Sequence, residues 1–365
     1  MLGNTPPPRR TRGLPQPWPS LDETRAPWDT ADLSAELAIA GRIESQDERL
    51  HVSIGAVCNN NCVFCMEEDR DARYVNNSAM TGERVRWILE RHRGAEEVCF
   101  TSGEPTTRPE LPDFVTWAKE LGYARISVMT NGRRLSHLPY ASALVKAGMN
   151  RFYVSIHGHE AKLHESLTRT PDSFPQTVAG LASIARLKRF GVELHTSTVL
   201  TKRNLPHLTE IYRFLRSRGV DHVVLNVMQV NGRADTHFDQ LFPTYTETAA
   251  RFRQMLSEVE PRAMAFLVDI PLCTTEAIPD FNRGFVEQHR HYDVEEEAIL
   301  EGVDAKARAT QVAGRSLVVL TREDLDRARR VKRAECAQCS HDRRCEGVWA
   351  GYVSRMGWDE MTPVR

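Results

Sequence analysis

Residues 58–65 read Cys58-Asn59-Asn60-Asn61-Cys62-Val63-Phe64-Cys65. The CxxxCxxC spacing lets one tight loop aim three thiolates at one point. Soft thiolates select zinc, copper(I) or iron–sulfur clusters. Three of them fill only three corners of a 4Fe–4S cube. The fourth iron then stays open to a substrate or cofactor, as in a catalytic metal site. The competing readings are a zinc knuckle and a disulfide loop. Zinc sites usually show paired CxxC or CxxH halves, and no second pair lies nearby in the sequence.

Outward from this loop, short apolar strands alternate with amphipathic helices. Strands are expected at 50–54, 97–101, 125–130, 151–156, 193–200 and 222–227. Helices are expected at 81–93, 111–121, 138–147, 174–190 and 205–218. Glycine follows several of the helices, and strand–helix alternation points to parallel βαβ units. About six such units make an α/β fold, a partial (β/α)6 TIM-like barrel. After Gly232 the alternation fades, with a helix at 244–258, a charged stretch at 285–301, a strand at 318–320 and a basic helix at 322–333.

The order of the motifs resembles the radical S-adenosylmethionine (SAM) superfamily. The resemblance starts with the three cysteines and the aromatic Phe64 before the last of them. It continues with Thr101-Ser102-Gly103-Glu104-Pro105, which is similar to the family's Gly-Gly-Glu-Pro motif with Ser102 at the first glycine. Val128-Met129-Thr130-Asn131-Gly132 is similar to the next strand end and Val154-Ser155-Ile156-His157-Gly158 to the one after it. Thr196–Leu200 with Asn204 resembles the fifth, and Leu225–Gly232 the sixth. The resemblance implies that Cys58, Cys62 and Cys65 hold a SAM-binding 4Fe–4S cluster. It also implies that Phe64, Ser102, Gly103, Glu104, Pro105, Asn131, Ser155, Thr198 and Val230 lie against SAM, with Glu104 meeting its ammonium. Relatives with an auxiliary cluster often carry His-Asp-x-Ile-Arg after the fourth strand. Here the stretch is His164-Glu165-Ser166-Leu167-Thr168-Arg169, with the arginine one place late, so the partner of the SAM carboxylate is left open.

A second cysteine group, Cys336-Ala337-Gln338-Cys339 and then Cys345, resembles the C-terminal part of SPASM and twitch auxiliary-cluster domains. With Cys273 as fourth ligand it would complete one auxiliary 4Fe–4S cluster; a structural zinc site of the same four cysteines is the alternative. Cys99 lies inside a strand and is read as a core residue. His157, His159 and His164 follow the fourth strand and are read as solvated or hydrogen-bonded.

The chain has 365 residues, 41% of them hydrophobic, and a formal net charge of −1. It can bury a sizeable core, and its charge balance predicts no nucleic-acid or anionic-membrane partner. No apolar run is long enough to span a bilayer, and the N-terminus lacks an apolar signal region. Eight cysteines without a signal favour metal chemistry over disulfides, so a cytoplasmic location is expected. The expected organisation is a proline-rich, largely disordered arm at 1–46, a radical SAM core at 47–235, and a C-terminal auxiliary-cluster domain at 236–365. The expected activity is reductive cleavage of SAM to a 5′-deoxyadenosyl radical that abstracts hydrogen from a ribosomally made peptide, for oxidation, cross-linking or epimerisation. The alternative substrate is a small molecule such as a sugar or aminoglycoside; a metal-stapled binding module is the non-enzymatic alternative. An electron donor such as flavodoxin or ferredoxin is implied.

Overall fold

The structure is a computed structural model that describes residues 49–66, 81–260, 264–278, 281–282, 290–292, 309–312, 315–318, 329–343 and 345–365. The expected arm at 1–46 lies outside the described residues, as does most of the charged stretch at 285–301.

The elements are β1 (Arg49–Ser53), α1 (Gly82–Arg91), β2 (Glu97–Thr101), α2 (Leu111–Glu120), β3 (Arg125–Thr130), α3 (Leu138–Ala147), β4 (Arg151–Ser155), α4 (Ala161–Thr168), α5 (Ser173–Leu187), β5 (Glu193–Leu200), α6 (Leu208–Ser217) and β6 (His222–Val227). Then follow α7 (Gly232–Thr236), α8 (Phe238–Leu241), α9 (Tyr245–Glu258), β7 (Ala265–Val268), β8 (Arg290–Tyr292), β9 (Ala309–Val312), β10 (Arg315–Val318), β11 (Arg330–Val331), β12 (Val348–Trp349) and α10 (Ala350–Met356). Strands β1 to β7 are parallel neighbours in chain order, and β8 adds to the outer edge of β1. This is the expected α/β architecture, a partial TIM-like barrel with helices outside.

Alternation along each strand sorts the side chains. In β2, Val98 and Phe100 are buried under the helices, with the Phe100 ring 6.2 Å from Phe114 of α2. Glu97, two residues before Cys99, turns inward and meets groups from β1, β3 and β4. Arg49 Nε lies 3.1 Å and Arg151 Nη1 2.7 Å from its carboxylate, and Ser127 Oγ donates to it at 2.6 Å. Arg151 Nε continues to Glu193 at 2.7 Å, and His195 stacks on His222 at 4.9 Å. Burial alone would raise the Glu97 pKa, but Arg49 and Arg151 outweigh it and hold it down at about 2. Two guanidiniums and two carboxylates thus fill the end of the barrel where the strands begin.

Departures from the expected elements follow from packing. Strand β7 joins β6, so the sheet continues past residue 235. Helix α4 forms after β4, where no element is expected, with Leu163, His164, Leu167 and Thr168 buried. The expected basic helix at 322–333 is corrected where it is described: Arg330–Val331 is a strand, antiparallel to Val348–Trp349, with Arg330 Nη1 on Glu346 at 2.7 Å. Residues 321–328 lie outside the described residues. Of the strand expected at 318–320, Val318 lies in β10, which pairs with β9, and residues 319–320 lie outside the described residues. The C-terminal segment packs back on the barrel through Tyr352, whose ring stacks 4.0 Å from Tyr245 of α9. Among the described residues no helix is long and apolar enough to cross a membrane.

Candidate metal centres and ligand site

The cysteine loop leaves β1 at the carboxyl end of the strands, where α/β barrels build their sites. Its backbone is held by the C-terminal carbonyls of α4: Asn61 N donates to Thr168 O at 3.0 Å and Val63 N to Leu167 O at 2.9 Å. Those carbonyls have no intrahelical partner, so the loop satisfies the helix end and the helix end fixes the loop. Phe64 is buried, its ring 4.6 Å from His157 in an edge contact. Arg133 donates to Asn59 O and, at 3.1 Å, to Asn60 Oδ1. Arg233 donates to Asn61 Oδ1, and its backbone N–H to Cys65 O at 2.9 Å.

Cys58, Cys62 and Cys65 are half-buried. Burial pushes the Cys62 thiol far up, and the neighbouring Cys65 and Cys58 push it further. Three sulfurs so placed cannot all ionise without a cation among them, which is the demand a metal cluster meets. Asn60 N donates to Cys58 Sγ at 3.4 Å, a bond that would stabilise a ligating thiolate. Among the described residues, no three His, Cys, Asp or Glu side chains already converge at metal-ligating distance.

Beside this loop, Ser102 and Gly103 both adopt left-handed backbone, at φ 74° and 58°. A Cβ on Gly103 would stand 2.6 Å from Val57 O and 2.7 Å from Gly55 O, so only glycine fits against the loop. Ser102 pays strain at its position, which singles out this turn as a place where the backbone is held for a purpose. Glu104 is 2% exposed, and its carboxylate accepts from Thr106 N at 3.1 Å, Thr106 Oγ1 at 2.5 Å, Thr130 Oγ1 at 2.5 Å and Asn131 N at 2.6 Å. Its side chain therefore locks the β2 and β3 strand ends together, with Pro105 buried beside it. Asn131 extends the link, donating from Nδ2 to Asn59 Oδ1 at 2.5 Å. Cysteine loop, Ser102–Pro105 turn and Asn131 thus form one hydrogen-bonded unit.

The other expected contacts are spread out. Ser155 ends β4 in register with Ser197 of β5, which accepts from Asn226 Nδ2 at 2.8 Å. Thr198 is buried and donates to Ile156 O at 2.6 Å, a bond between strands. Val230 is buried against Gly351. His157 and His164 are buried and accept backbone N–H groups at Nδ1, from Val199 at 3.2 Å and from His157 N at 3.1 Å. Burial pushes both pKa values down, that of His164 to about 4 with Arg133 contributing, so both are neutral at pH 7. Arg169 is exposed in the left-handed position that ends α4.

The second cysteine group also gathers. Cys273, Cys336, Cys339 and Cys345 line one cavity together with His341 and Trp358. Burial, then the neighbouring Cys345, Cys339 and Cys336, push the Cys273 thiol up to about 12. Val364 N donates to Cys339 Sγ at 3.3 Å. These four sulfurs, with that donor, suit a fully protein-ligated cluster or a zinc ion. Cys99 instead is fully buried inside the barrel strand β2.

Sequence reasoning did not single out Arg133, Arg233 or the carbonyls of Leu167 and Thr168. The only local signal was the position of Arg133 directly after Asn131-Gly132.

Residues 52–215 match the family model described as the radical SAM superfamily. A probable GTP 3′,8-cyclase of Sulfurisphaera tokodaii is 28% identical over 213 residues, 58% of this chain and 64% of the relative. One of Saccharolobus islandicus is 29% identical over 180 residues, 49% and 56% respectively. The chain thus spans just under two thirds of the first and little more than half of the second. Among solved structures, SuiB of Streptococcus suis bound to S-adenosylmethionine matches with a TM-score of 0.61 at 15% identity, over 92% of this chain and 81% of that one. SuiB bound to its precursor peptide SuiA matches at 0.51 and 17%, over 70% and 57%. At such identities the structures show a shared fold. Family match, motif order and barrel agree: residues 52–215 form a domain of the radical SAM superfamily.

Proposed function

We propose that the chain reductively cleaves SAM at Cys58, Cys62 and Cys65 and uses the resulting 5′-deoxyadenosyl radical on a ribosomally made peptide. The observation that carries the SAM reading is the three-thiol loop, clamped at the strand ends beside the left-handed Ser102–Gly103 turn. A bound 4Fe–4S cluster with one open iron supplies the electron that breaks a sulfur–carbon bond of SAM. The chain's own residues hold that chemistry in place. Asn59, Asn131 and Glu104 fix the loop against the turn, and α4 closes its far side. Buried Phe64 and His157 keep water from the loop's inner face. The four C-terminal cysteines would hold one auxiliary cluster, most simply a conduit for the electron that an oxidation releases. A flavodoxin- or ferredoxin-type donor would reduce the first cluster, in the cytoplasm.

The peptide reading is supported by the extent of the SuiB likeness, 92% of this chain with S-adenosylmethionine bound and 70% with the precursor peptide SuiA bound. The second reading, a small-molecule substrate, is favoured by the curated relatives named as GTP cyclases. The test is anaerobic incubation of reconstituted protein with dithionite and SAM. 5′-Deoxyadenosine should form, and Cys58→Ala/Cys62→Ala/Cys65→Ala should abolish it. Continued cleavage by the triple variant would end the assignment. Addition of peptides encoded beside the gene, against GTP and aminoglycosides, decides the substrate by which one raises turnover and is consumed.

A further inference from the structure

The segment after β6 is gripped from two sides. Toward the cysteine loop, Arg233 donates its backbone N–H to Cys65 O at 2.9 Å and its guanidinium to Asn61 Oδ1. Toward the C-terminal segment, Arg329 Nη1 donates to Asn231 Oδ1 at 2.9 Å, and Arg355 Nη1 pairs with Asp235 Oδ1 at 2.9 Å. Gly351 opens α10 so close to Val230 that a Cβ there would stand 2.5 Å from Val230 Cγ1. Residues 230–235 therefore touch both the loop that carries the first three thiols and the segment that carries the last three.

The weights of these contacts differ. The Arg355–Asp235 pair is solvent-exposed and screened, so alone it is a weak tether. The Gly351–Val230 approach is a steric fit of the Gly351 backbone against the Val230 side chain, which tolerates no added carbon without movement. Arg233 is the only one of these residues that binds the cysteine loop, and it does so twice, on the residue before Cys62 and on Cys65 itself. Helix α7 carries both Arg233 and Asp235, so a displacement of the C-terminal segment is passed to the loop over two residues. The α4 carbonyls, Arg133 and Asn131 hold residues 59–63, and the Arg233 backbone N–H extends that hold to Cys65.

We infer that Arg233 is a positioning residue for the cysteine loop, and that the C-terminal segment, acting through residues 230–235, holds that loop in the form that accepts its metal cluster. Loading of the first site then depends on docking of the module that contains the second. The inference rests on the cluster reading proposed above. The Arg233 guanidinium donates to the side chain of Asn61, directly before Cys62, and so places a positive charge beside the loop that would hold the cluster. Removing that positive charge should therefore move the cluster's reduction potential to more negative values.

The experiment uses the full chain, reconstituted anaerobically, with iron per chain and the paramagnetic resonance of the reduced protein, with and without SAM, to separate the two sites. Arg233→Gln should lose most of the SAM-responsive signal and keep the other. Arg233→Lys should recover part of it, and whatever Arg233→Gln protein loads should titrate at a more negative potential. Arg329→Ala/Arg355→Ala leaves every cysteine and Arg233 in place, yet should lower first-site loading several-fold while melting as a folded protein. If that double variant fails to fold, Gly351→Ala, which crowds Val230 and leaves every cysteine and Arg233 in place, takes its place with the same expectation. Wild-type loading and potential in Arg233→Gln, or wild-type first-site loading in the folded C-terminal variant, would overturn the inference. Wild-type iron in the Cys58/Cys62/Cys65 triple alanine variant would instead overturn the cluster reading.

Discussion

Replacing Glu97 by Gln removes one charge from the sealed end of the barrel and keeps the side chain's shape. In the native protein this carboxylate faces Arg49 at 3.1 Å and Arg151 at 2.7 Å, with 3% of its side chain exposed. Its pKa lies at about 2, against an ordinary 4.5. A lowered carboxylate pKa stabilises the fold above the unfolded pKa, and that stability is lost as pH falls through the folded value. A shift of this size corresponds to about 3 kcal/mol at neutral pH, present above about pH 4.5 and gone near pH 2. Removing one partner of a buried pair is also costly because it strands the others, here Arg49 left with the Tyr153 hydroxyl and Arg151 left with Glu193. For a domain of this size about 3 kcal/mol lowers the melting temperature by roughly 6–12 °C. The assay is thermal melting of metal-free wild type and Glu97→Gln at pH 7 and at steps down to pH 3. The gap should be largest at pH 7 and shrink below pH 4.5. A variant melting within about 2 °C of wild type at pH 7, or a gap that grows in acid, would refute the account of how this end of the barrel is held.

Three further outcomes follow from the sites. Cys273→Ala should lower iron per chain or alter the auxiliary signal, whereas Cys99→Ala should leave iron unchanged and cost on the order of 1 kcal/mol of packing; the reverse pattern in iron analysis would reassign the fourth ligand. Ser102→Gly should raise stability by about 1 kcal/mol, because a non-glycine residue at φ 74° is strained; a lower melting temperature would show that the Ser102 side chain earns its strain. His157 and His164, pushed down by burial, should stay neutral through pH 6, so SAM cleavage should show no histidine titration near pH 6.5 from this pair. A histidine NMR titration placing either pKa above 6 would contradict that.

The sequence by itself determined what is local. Three thiols in one loop need only their spacing, and strand–helix alternation needs only periodicity and glycine stops. Hence five of the six barrel strands begin at the expected residue and the sixth one residue early. Tertiary structure decided what each polar group faces. Glu104 carries the expected motif position, and its carboxylate also accepts four protein hydrogen bonds, because β3 brings Thr130 and Asn131 alongside it. Thr198 sits at the expected strand end, yet its hydroxyl satisfies Ile156 O across the sheet. Arg133 and Arg233 clamp the cysteine loop from 73 and 172 residues away, a relation that no window of sequence contains. The basic run ending at Arg333 pairs as a strand at Arg330–Val331 because Val348–Trp349 lies beside it and Glu346 receives the guanidinium. Helical periodicity in that run is a short-range preference worth tenths of a kcal/mol per residue, and burial with a charged partner outweighs it.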